Sequence, residues 1–205
     1  MKRLLTLSLA ALLAAALTGC GARGAKPVIY LYPEEETQVS VTLELDGTFT
    51  STYPDYGDGW TVTAQPDGTL TDPETGRTYY CLFWEGIIDR QFDLSAGFCV
   101  AGEDTAAFLE DALARLGLTQ REANEFIIYW LPRMEGNPYN LISFQTDTYT
   151  DAAELTIAPA PDTLIRVFMA WKGLERPVEI PAQELTAPAR TGFTAVEWGG
   201  AELGK

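Results

Sequence analysis

The first regular alternation of apolar and polar residues spans residues 37–45, TQVSVTLEL. Its apolar face carries Val39, Val41, Leu43 and Leu45. A period of two is typical of a β-strand that is buried on one face. Asp46-Gly47 follows and is a common hairpin turn, so the sequence predicts that residues 48–53, TFTSTY, return beside the first strand.

The rest of the first half also has the composition of strands. Residues 27–33, PVIYLYP, are β-branched and aromatic between two prolines. Residues 60–65, WTVTAQ, lead into a Pro-Asp-Gly turn at 66–68 and then into a short return strand, TLT. Residues 77–86, RTYYCLFWEG, are the most apolar segment, which predicts a central strand. The first half is therefore predicted to be an antiparallel β layer.

The hydrophobic period changes to that of a helix after residue 103. Apolar side chains recur at helical spacing at Phe108, Leu109, Ala112, Leu113 and Leu116. Asp104 can cap the start of this helix, and Gly117 can end it. Thr119 and Glu122 then have the spacing of a capping box, which predicts a second helix that Pro132 closes.

Strand-like segments return in the last third of the chain. They are YNLISF (139–144), AELTIA (153–158), TLIRVFMAWK (163–172) and FTAVEW (193–198). An order of strands, two helices and strands again predicts an α+β fold. We expect a mostly antiparallel β-sheet or sandwich with a two-helix insertion at about 103–133.

The N-terminus has the pattern of an export signal. Lys2 and Arg3 precede an apolar run at 4–17, which is shorter than the roughly 20 residues that a membrane-spanning helix needs. The run ends in Leu-Thr-Gly before Cys20, which resembles a bacterial lipobox, where a peptidase cuts before the cysteine and its sulfur carries a diacylglyceryl group. An ordinary secretory signal with an incidental cysteine is the alternative.

The lipobox resemblance implies how the chain is divided and where in the cell it is located. It implies a signal peptide at 1–19, a lipidated Cys20 with a short tether at 20–25, and one globular domain at 26–205. Two acyl chains such as palmitate anchor a protein stably, whereas one holds it only marginally. The expected location is the cell membrane, on its extracytoplasmic face, with the membrane itself as the first partner.

Charge narrows the classes of further partners. Without Lys2 and Arg3, the 14 basic residues of the chain fall to 12, and the net charge changes from −15 to −17. Such a surface repels nucleic acids and anionic lipid headgroups. A glycan or another envelope protein stays possible as a partner, and the sequence does not define an oligomeric state.

Several motifs together resemble those of a family of uncharacterised exported or membrane-associated bacterial proteins. They are KPVIYLYP (26–33), YPDYGDGW (53–60), PDGTL (66–70), LFWEG (82–86), NPYNLISFQTD (137–147) and GFTAVEWGG (192–200). The resemblance implies a single domain. The family carries no assigned activity, so the resemblance implies no catalytic residue.

The chain contains no histidine, which excludes Ser-His-Asp and Cys-His catalysis and the usual zinc ligand sets. No phosphate-binding glycine loop is present, and no cofactor is expected. Cys81 and Cys99 are left after lipidation of Cys20, and outside the cytoplasm they can form a disulfide. Two buried free thiols are the alternative.

Two acids lie beside tryptophans at the ends of apolar strands: Glu85 in FWEG and Glu197 in VEWGG. A pair of carboxyl groups is the machinery of glycoside hydrolysis, and an apolar wall can raise the pKa of one of them. Two carboxylates at the rim of the fold, packed by the neighbouring tryptophans, are the alternative. Asp55, Asp58 and Asp67 lie in glycine-containing turns and are candidates for calcium ligands.

Aromatic residues are concentrated in the first half of the domain. They are Tyr53, Tyr56, Trp60, Tyr79, Tyr80, Phe83 and Trp84. Such residues either fill a β core or form an exposed strip that stacks on sugar rings. The sequence thus favours a non-enzymatic binding or envelope-structural module, and the alternative is a carboxylate-dependent hydrolase of cell-envelope glycans.

Overall fold

A computed structural model describes residues 22–204. The chain forms twelve strands and three α-helices within that range. The strands are β1 (Ala22–Tyr32), β2 (Thr37–Leu45), β3 (Gly47–Tyr53), β4 (Trp60–Ala64), β5 (Leu70–Thr71), β6 (Thr78–Tyr79), β7 (Leu82–Ile88), β8 (Phe98–Ala101), β9 (Tyr139–Gln145), β10 (Ala153–Ala158), β11 (Thr163–Leu174) and β12 (Thr194–Glu202). The helices are α1 (Thr105–Arg115), α2 (Gln120–Met134) and α3 (Asp147–Ala152).

The strands form two sheets, and the helix pair α1 and α2 adds a third layer. The larger sheet has seven strands in the order β3-β7-β1-β12-β11-β9-β8, and the smaller has five in the order β10-β2-β4-β5-β6. Neighbouring strands are antiparallel except β11 and β12, which are parallel. The α+β fold with a mostly antiparallel sandwich and a two-helix insertion is thereby confirmed.

Two apolar cores separate the three layers. The sandwich core lies between the sheets and holds Ile29 and Leu31 of β1 together with Val39 and Val41 of β2. The helix-side core lies between the larger sheet and the helices and includes Val28 and Tyr30 of β1. Because consecutive residues of a strand point to opposite faces, β1 contributes to both cores and is buried on both sides.

The helix pair begins and ends close to the predicted positions. Thr119 N–H donates to Glu122 Oε2 at 2.8 Å and Glu122 N–H donates to Thr119 Oγ1 at 3.4 Å, so the predicted capping box is formed. Helix α2 continues two residues beyond Pro132, to Met134. The short helix α3 has no counterpart among the predicted elements.

The predicted hairpin around Asp46-Gly47 is wrong. β2 pairs with β4 and β10 in the smaller sheet, whereas β3 pairs with β7 in the larger one. The Asp-Gly turn therefore carries the chain from one sheet to the other. Gly47 has φ 153°, and a Cβ there would lie 1.9 Å from the carbonyl oxygen of Ile87, so only glycine permits this approach to β7.

The apolar segment 77–86 forms two strands instead of one. β6 belongs to the smaller sheet, and β7 is the second strand from the edge of the larger one, so the segment is not a central strand. The chain crosses between the sheets at Tyr80-Cys81. Residues 22–25, expected in the tether, form the first part of β1 and pair with β7 and β12. Cys20 and the rest of the predicted signal lie outside the described residues.

Candidate functional site

An aromatic groove lies on the helix side of the larger sheet, where β1 and β7 meet α2. Its central cavity has a volume of about 570 Å³. The cavity is lined by Lys26, Tyr53, Thr78, Tyr79, Tyr80, Cys81, Phe83, Glu85 and Tyr129. We call this the central cavity of the groove.

Two tyrosines present their rings to solvent at this cavity. Tyr53 is 53% exposed and Tyr80 is 52% exposed, unusually high fractions for large aromatic side chains. Tyr53 packs edge to face on Tyr79 with ring centroids 5.5 Å apart, and the Tyr80 ring lies 6.5 Å from that of Tyr30. Contacts with neighbouring rings therefore hold both tyrosines in place while leaving part of each ring uncovered.

Lys26 has an unusual backbone conformation at the edge of the central cavity. Its φ is 60°, the only positive value at a non-glycine residue between 22 and 204, and it lies where the pairing of β1 shifts register as in a β-bulge. The Lys26 N–H donates to Glu85 Oε1 at 3.2 Å, and Nζ lies 5.4 Å from the centroid of the Phe83 ring. Strained non-glycine residues of this kind are concentrated at binding and catalytic sites.

Glu85 is fixed at the same edge by two donors. In addition to the Lys26 amide, Arg23 Nη2 donates to Glu85 Oε2 at 3.3 Å. The Glu85 side chain is 17% exposed and Arg23 is 67% exposed, so the pair lies at the solvent boundary. A carboxylate held in this way can accept hydrogen bonds from hydroxyl groups of a ligand.

Cys81 lies at the buried end of the cavity and is not an activated nucleophile. Burial raises the pKa of its thiol from 9.0 to about 11, so the thiol is protonated at neutral pH. The polar chemistry of the central cavity therefore comes from Lys26, Glu85, Thr78 and the tyrosine hydroxyls.

Glu197 lies far from this surface, inside the sandwich core. It is fully buried and accepts hydrogen bonds from Trp84 Nε1 at 3.1 Å and from Arg166 Nε at 2.7 Å. The Arg166 guanidinium carbon lies 4.8 Å from the centroid of the Tyr149 ring. This cluster is a buried ion pair closed off from solvent.

The structure does not bring Glu85 and Glu197 together. Glu85 faces α2 beside Tyr129, whereas Glu197 faces the smaller sheet with Trp84. The two carboxyl groups therefore lie on opposite faces of the larger sheet and share no cleft. A paired mechanism of glycoside hydrolysis needs both carboxyl groups beside one bond, and this arrangement does not provide that.

The disulfide expected between Cys81 and Cys99 is not formed. Both thiols are free, Cys81 buried and Cys99 half-buried. Cys81 directly precedes β7, and Cys99 lies in β8, five strand positions away in the larger sheet. At about 4.8 Å per strand, the separation is about 24 Å, far beyond the Cα distance of a disulfide. The alternative of two free thiols fits this arrangement better.

The three aspartates proposed as calcium ligands lie in turns. Asp67 Oδ1 accepts the Thr69 N–H at 2.9 Å, and this hydrogen bond lowers the pKa of the Asp67 carboxyl. Asp55 and Asp58 are exposed in the connection between β3 and β4. Residues 22–204 contain no group of three or more acidic or cysteine side chains arranged to hold a metal ion.

The aromatic strip of the first half divides between core and groove. Trp60 and Trp84 are buried in the sandwich core, and Tyr56 packs against that core. Tyr53, Tyr79, Tyr80 and Phe83 line the groove. Sequence reasoning missed Lys26 and Tyr129, because neither belongs to a recognisable motif and α2 brings Tyr129 to the site from a distant part of the chain.

Comparisons with known proteins give one curated relative. A protein of Butyrivibrio fibrisolvens named "Uncharacterized protein in bglA 3'region" is 44% identical over 85 aligned positions, which cover 37% of this chain and 86% of that protein. No protein-family model matches the chain, and no solved structure matches it. Between residues 22 and 204, no helix is long and apolar enough to cross a membrane.

Glu197→Gln should lower the free energy of unfolding by about 3 kcal/mol, because it leaves the buried Arg166 guanidinium without its counter-charge. Urea unfolding followed by tryptophan fluorescence measures the loss. Glu85→Gln is the matched control: it also changes a glutamate beside a tryptophan, but its ion pair is at the surface and should contribute less than about 1 kcal/mol.

A double variant, Glu197→Gln with Arg166→Met, separates the charge effect from loss of packing. Removal of both charges should recover most of the stability that Glu197→Gln loses. Equal losses for Glu197→Gln and Glu85→Gln would contradict the assignment of Glu197 to a buried ion pair.

A chain that begins at Ala22, and so lacks Cys20, should show two reactive thiols when denatured without reductant. In the native state at pH 8, iodoacetamide should modify Cys99 first, because burial and a pKa of about 11 keep the Cys81 thiol protonated and covered. Mass spectrometry after digestion identifies the modified residue, with Cys99→Ala as the control. Absence of reactive thiols after denaturation would restore the disulfide.

Proposed function

We propose that this chain is a membrane-anchored extracytoplasmic binding module. It belongs to the family of the uncharacterised protein in the bglA 3' region of Butyrivibrio fibrisolvens. Its ligand is a carbohydrate, held in the aromatic groove between α2 and the β1–β7 pair. The observation that carries the proposal is the pair of half-exposed rings, Tyr53 and Tyr80, beside the strained Lys26 and the fixed carboxylate of Glu85.

Carbohydrate is the ligand class that this combination suits best. A sugar ring has an apolar C–H face, which packs on an aromatic ring, and hydroxyl groups at its edge, which need charged or polar partners. The central cavity offers both, with Tyr53 and Tyr80 as platforms and Lys26, Glu85 and Thr78 as polar partners. A purely apolar ligand would leave these charged groups without solvent or partners, and the strongly acidic surface disfavours nucleic acids.

The anchor is proposed on the sequence alone. Cys20 ends a lipobox-like segment, and β1 begins at Ala22, two residues later. At about 3.5 Å per residue, the lipidated sulfur would be attached within about 7 Å of the start of the strand along the backbone. The module would therefore lie directly at the membrane, with Arg23 and the adjacent end of the groove nearest to the lipid.

Tyr80→Ala and Tyr53→Ala should each weaken carbohydrate binding about tenfold, because each removes an exposed stacking surface. Tyr80→Phe keeps the ring and should retain most of the affinity. Ile128→Ala is the surface control, since Ile128 is 74% exposed on α2 and does not line the groove. Isothermal titration with fragments of cell-envelope glycan and with N-acetylglucosamine oligomers measures the affinities.

The same titration discriminates between the alternatives. Binding without change in the glycan supports the binding module, whereas accumulation of shortened products would favour the hydrolase. Failure of every tested glycan to bind, or equal affinity of the Ala variants and the native chain, would contradict the proposal.

Cys20→Ala should release the protein from the membrane fraction, because the variant cannot accept the diacylglyceryl group. Fractionation after a high-salt wash measures the distribution. The salt screens ionic attraction between lysine side chains and the membrane, so only anchored protein stays. Cys99→Ala, which changes a cysteine of the folded domain, is the control and should stay with the membrane. Retention of Cys20→Ala in washed membranes would contradict the lipid anchor.

A further inference from the structure

We propose that the groove binds an extended polysaccharide chain across three successive subsites, not a single sugar. This inference rests on the proposed carbohydrate-binding function and adds the form of the ligand. It follows from two cavities that adjoin the central one and share lining residues with it.

The three cavities are neighbours that share lining residues. The distal cavity lies toward the end of β1 that is farther from Ala22, is lined by Tyr32 and Arg190, and has a volume of about 510 Å³. It adjoins the central cavity at Tyr80, which lines both. The proximal cavity lies near the start of β1, is lined by Arg23 and Arg133, and has a volume of about 340 Å³. It adjoins the central cavity at Glu85 and Tyr129, which line both. A ligand in the central cavity can therefore extend into a further cavity on either side.

The cavities are arranged along one line. β1 contributes Arg23 to the proximal cavity, Lys26 to the central one and Tyr32 to the distal one. Helix α2 runs the opposite way, with Arg121 at the distal cavity and Arg133 at the proximal cavity. Tyr32 lies nine positions after Arg23 along β1, so the groove is roughly 30 Å long at about 3.3 Å per residue. This length exceeds a single sugar ring several times.

The same chemistry recurs in each cavity. In the distal cavity, the half-buried Tyr32 ring stacks on the buried Tyr30 ring with centroids 6.3 Å apart, and the Arg190 guanidinium, which is paired with Glu122, lies 5.9 Å from the Tyr32 ring. In the proximal cavity, the Arg133 guanidinium lies 4.0 Å from the Tyr129 ring. Each cavity thus pairs aromatic rings with a charged group, as the central cavity does with Lys26 and Phe83. A repeated surface fits a ligand made of repeated units.

An extended peptide is a poorer fit to this groove. A peptide that adds to a sheet needs a strand with an unpaired edge. The strands beneath the groove are β1, which pairs with β7 and β12, and β7, which pairs with β1 and β3. The edge strand β3 contributes only Tyr53 to the central cavity, and its unpaired edge is the one away from β7. Recognition in the groove therefore depends on side chains.

A length series tests the inference with the full-length chain purified in detergent. The probes are β-1,4-linked N-acetylglucosamine and glucose oligomers from two units to about eight, and the measurement is the dissociation constant by titration calorimetry. We expect the affinity to rise at least tenfold from the shortest to the longest oligomer that fits, and then to level off.

Variants at the two ends of the groove localise this gain. Arg121→Ala at the distal cavity and Arg133→Ala at the proximal cavity should each weaken binding of the longest oligomer several-fold and leave the shortest unaffected. Arg115→Ala is the matched control, since Arg115 forms the same i,i+4 surface ion pair on α1 that Arg121 forms on α2, but it lines none of the three cavities.

The outcomes separate this inference from the proposed function. An affinity that is independent of length, with short oligomers still sensitive to Tyr80→Ala, would overturn the extended ligand and leave the carbohydrate-binding function intact. Equal effects of the end variants on short and long oligomers would also overturn it. Absence of binding by every oligomer would overturn both.

Discussion

The larger sheet is wider than the helix layer that covers it, and the candidate site depends on this mismatch. Seven strands at about 4.8 Å spacing span about 29 Å, whereas two packed helices cover about 20 Å. α1 packs toward the β8 end, where Phe108 contacts Phe98. The uncovered width therefore lies at the other end of the sheet, over β7 and β3. There the helix-side face of the sheet carries Phe83, Glu85 and Tyr53 without a covering helix, and α2 forms one wall of the groove.

The charged groups inside the sandwich are closed off from solvent, whereas those of the groove are open to it. Glu197 and Arg166 neutralise each other between the sheets, and Trp84 donates to the same carboxylate, so the buried charges have partners inside the fold. At the groove, Glu85 accepts from groups at the solvent boundary and is available to a ligand. Two glutamates in similar sequence surroundings thus have opposite roles, one in stability and one at a surface.

The alternation of polar and apolar residues determined which strands could be predicted from the sequence. β2 has the predicted bounds because its polar and apolar residues alternate without interruption, and α2 starts where its capping box predicts. The partner of β3 could not be predicted, because a turn sequence does not specify which sheet receives the next strand. The separation of Glu85 and Glu197 has a local signal. Each is adjacent to a tryptophan and points away from it, and Trp84 and Trp198 pack in different cores. Which core receives which tryptophan is decided only by the assembled layers.

The groove could not be predicted from any single segment of the sequence, because its residues come from distant parts of the chain. Lys26 has its left-handed backbone where the pairing of β1 with β7 and β12 shifts register, and there the Glu85 carboxylate accepts its amide. Tyr129 reaches the cavity only because α2 lies antiparallel to β1. The strand that begins two residues after Cys20 is thus the same strand that contributes to all three cavities. A ligand bound along the groove would contact the element nearest to the proposed membrane anchor, so the direction of β1 would fix the direction of the bound chain relative to the membrane.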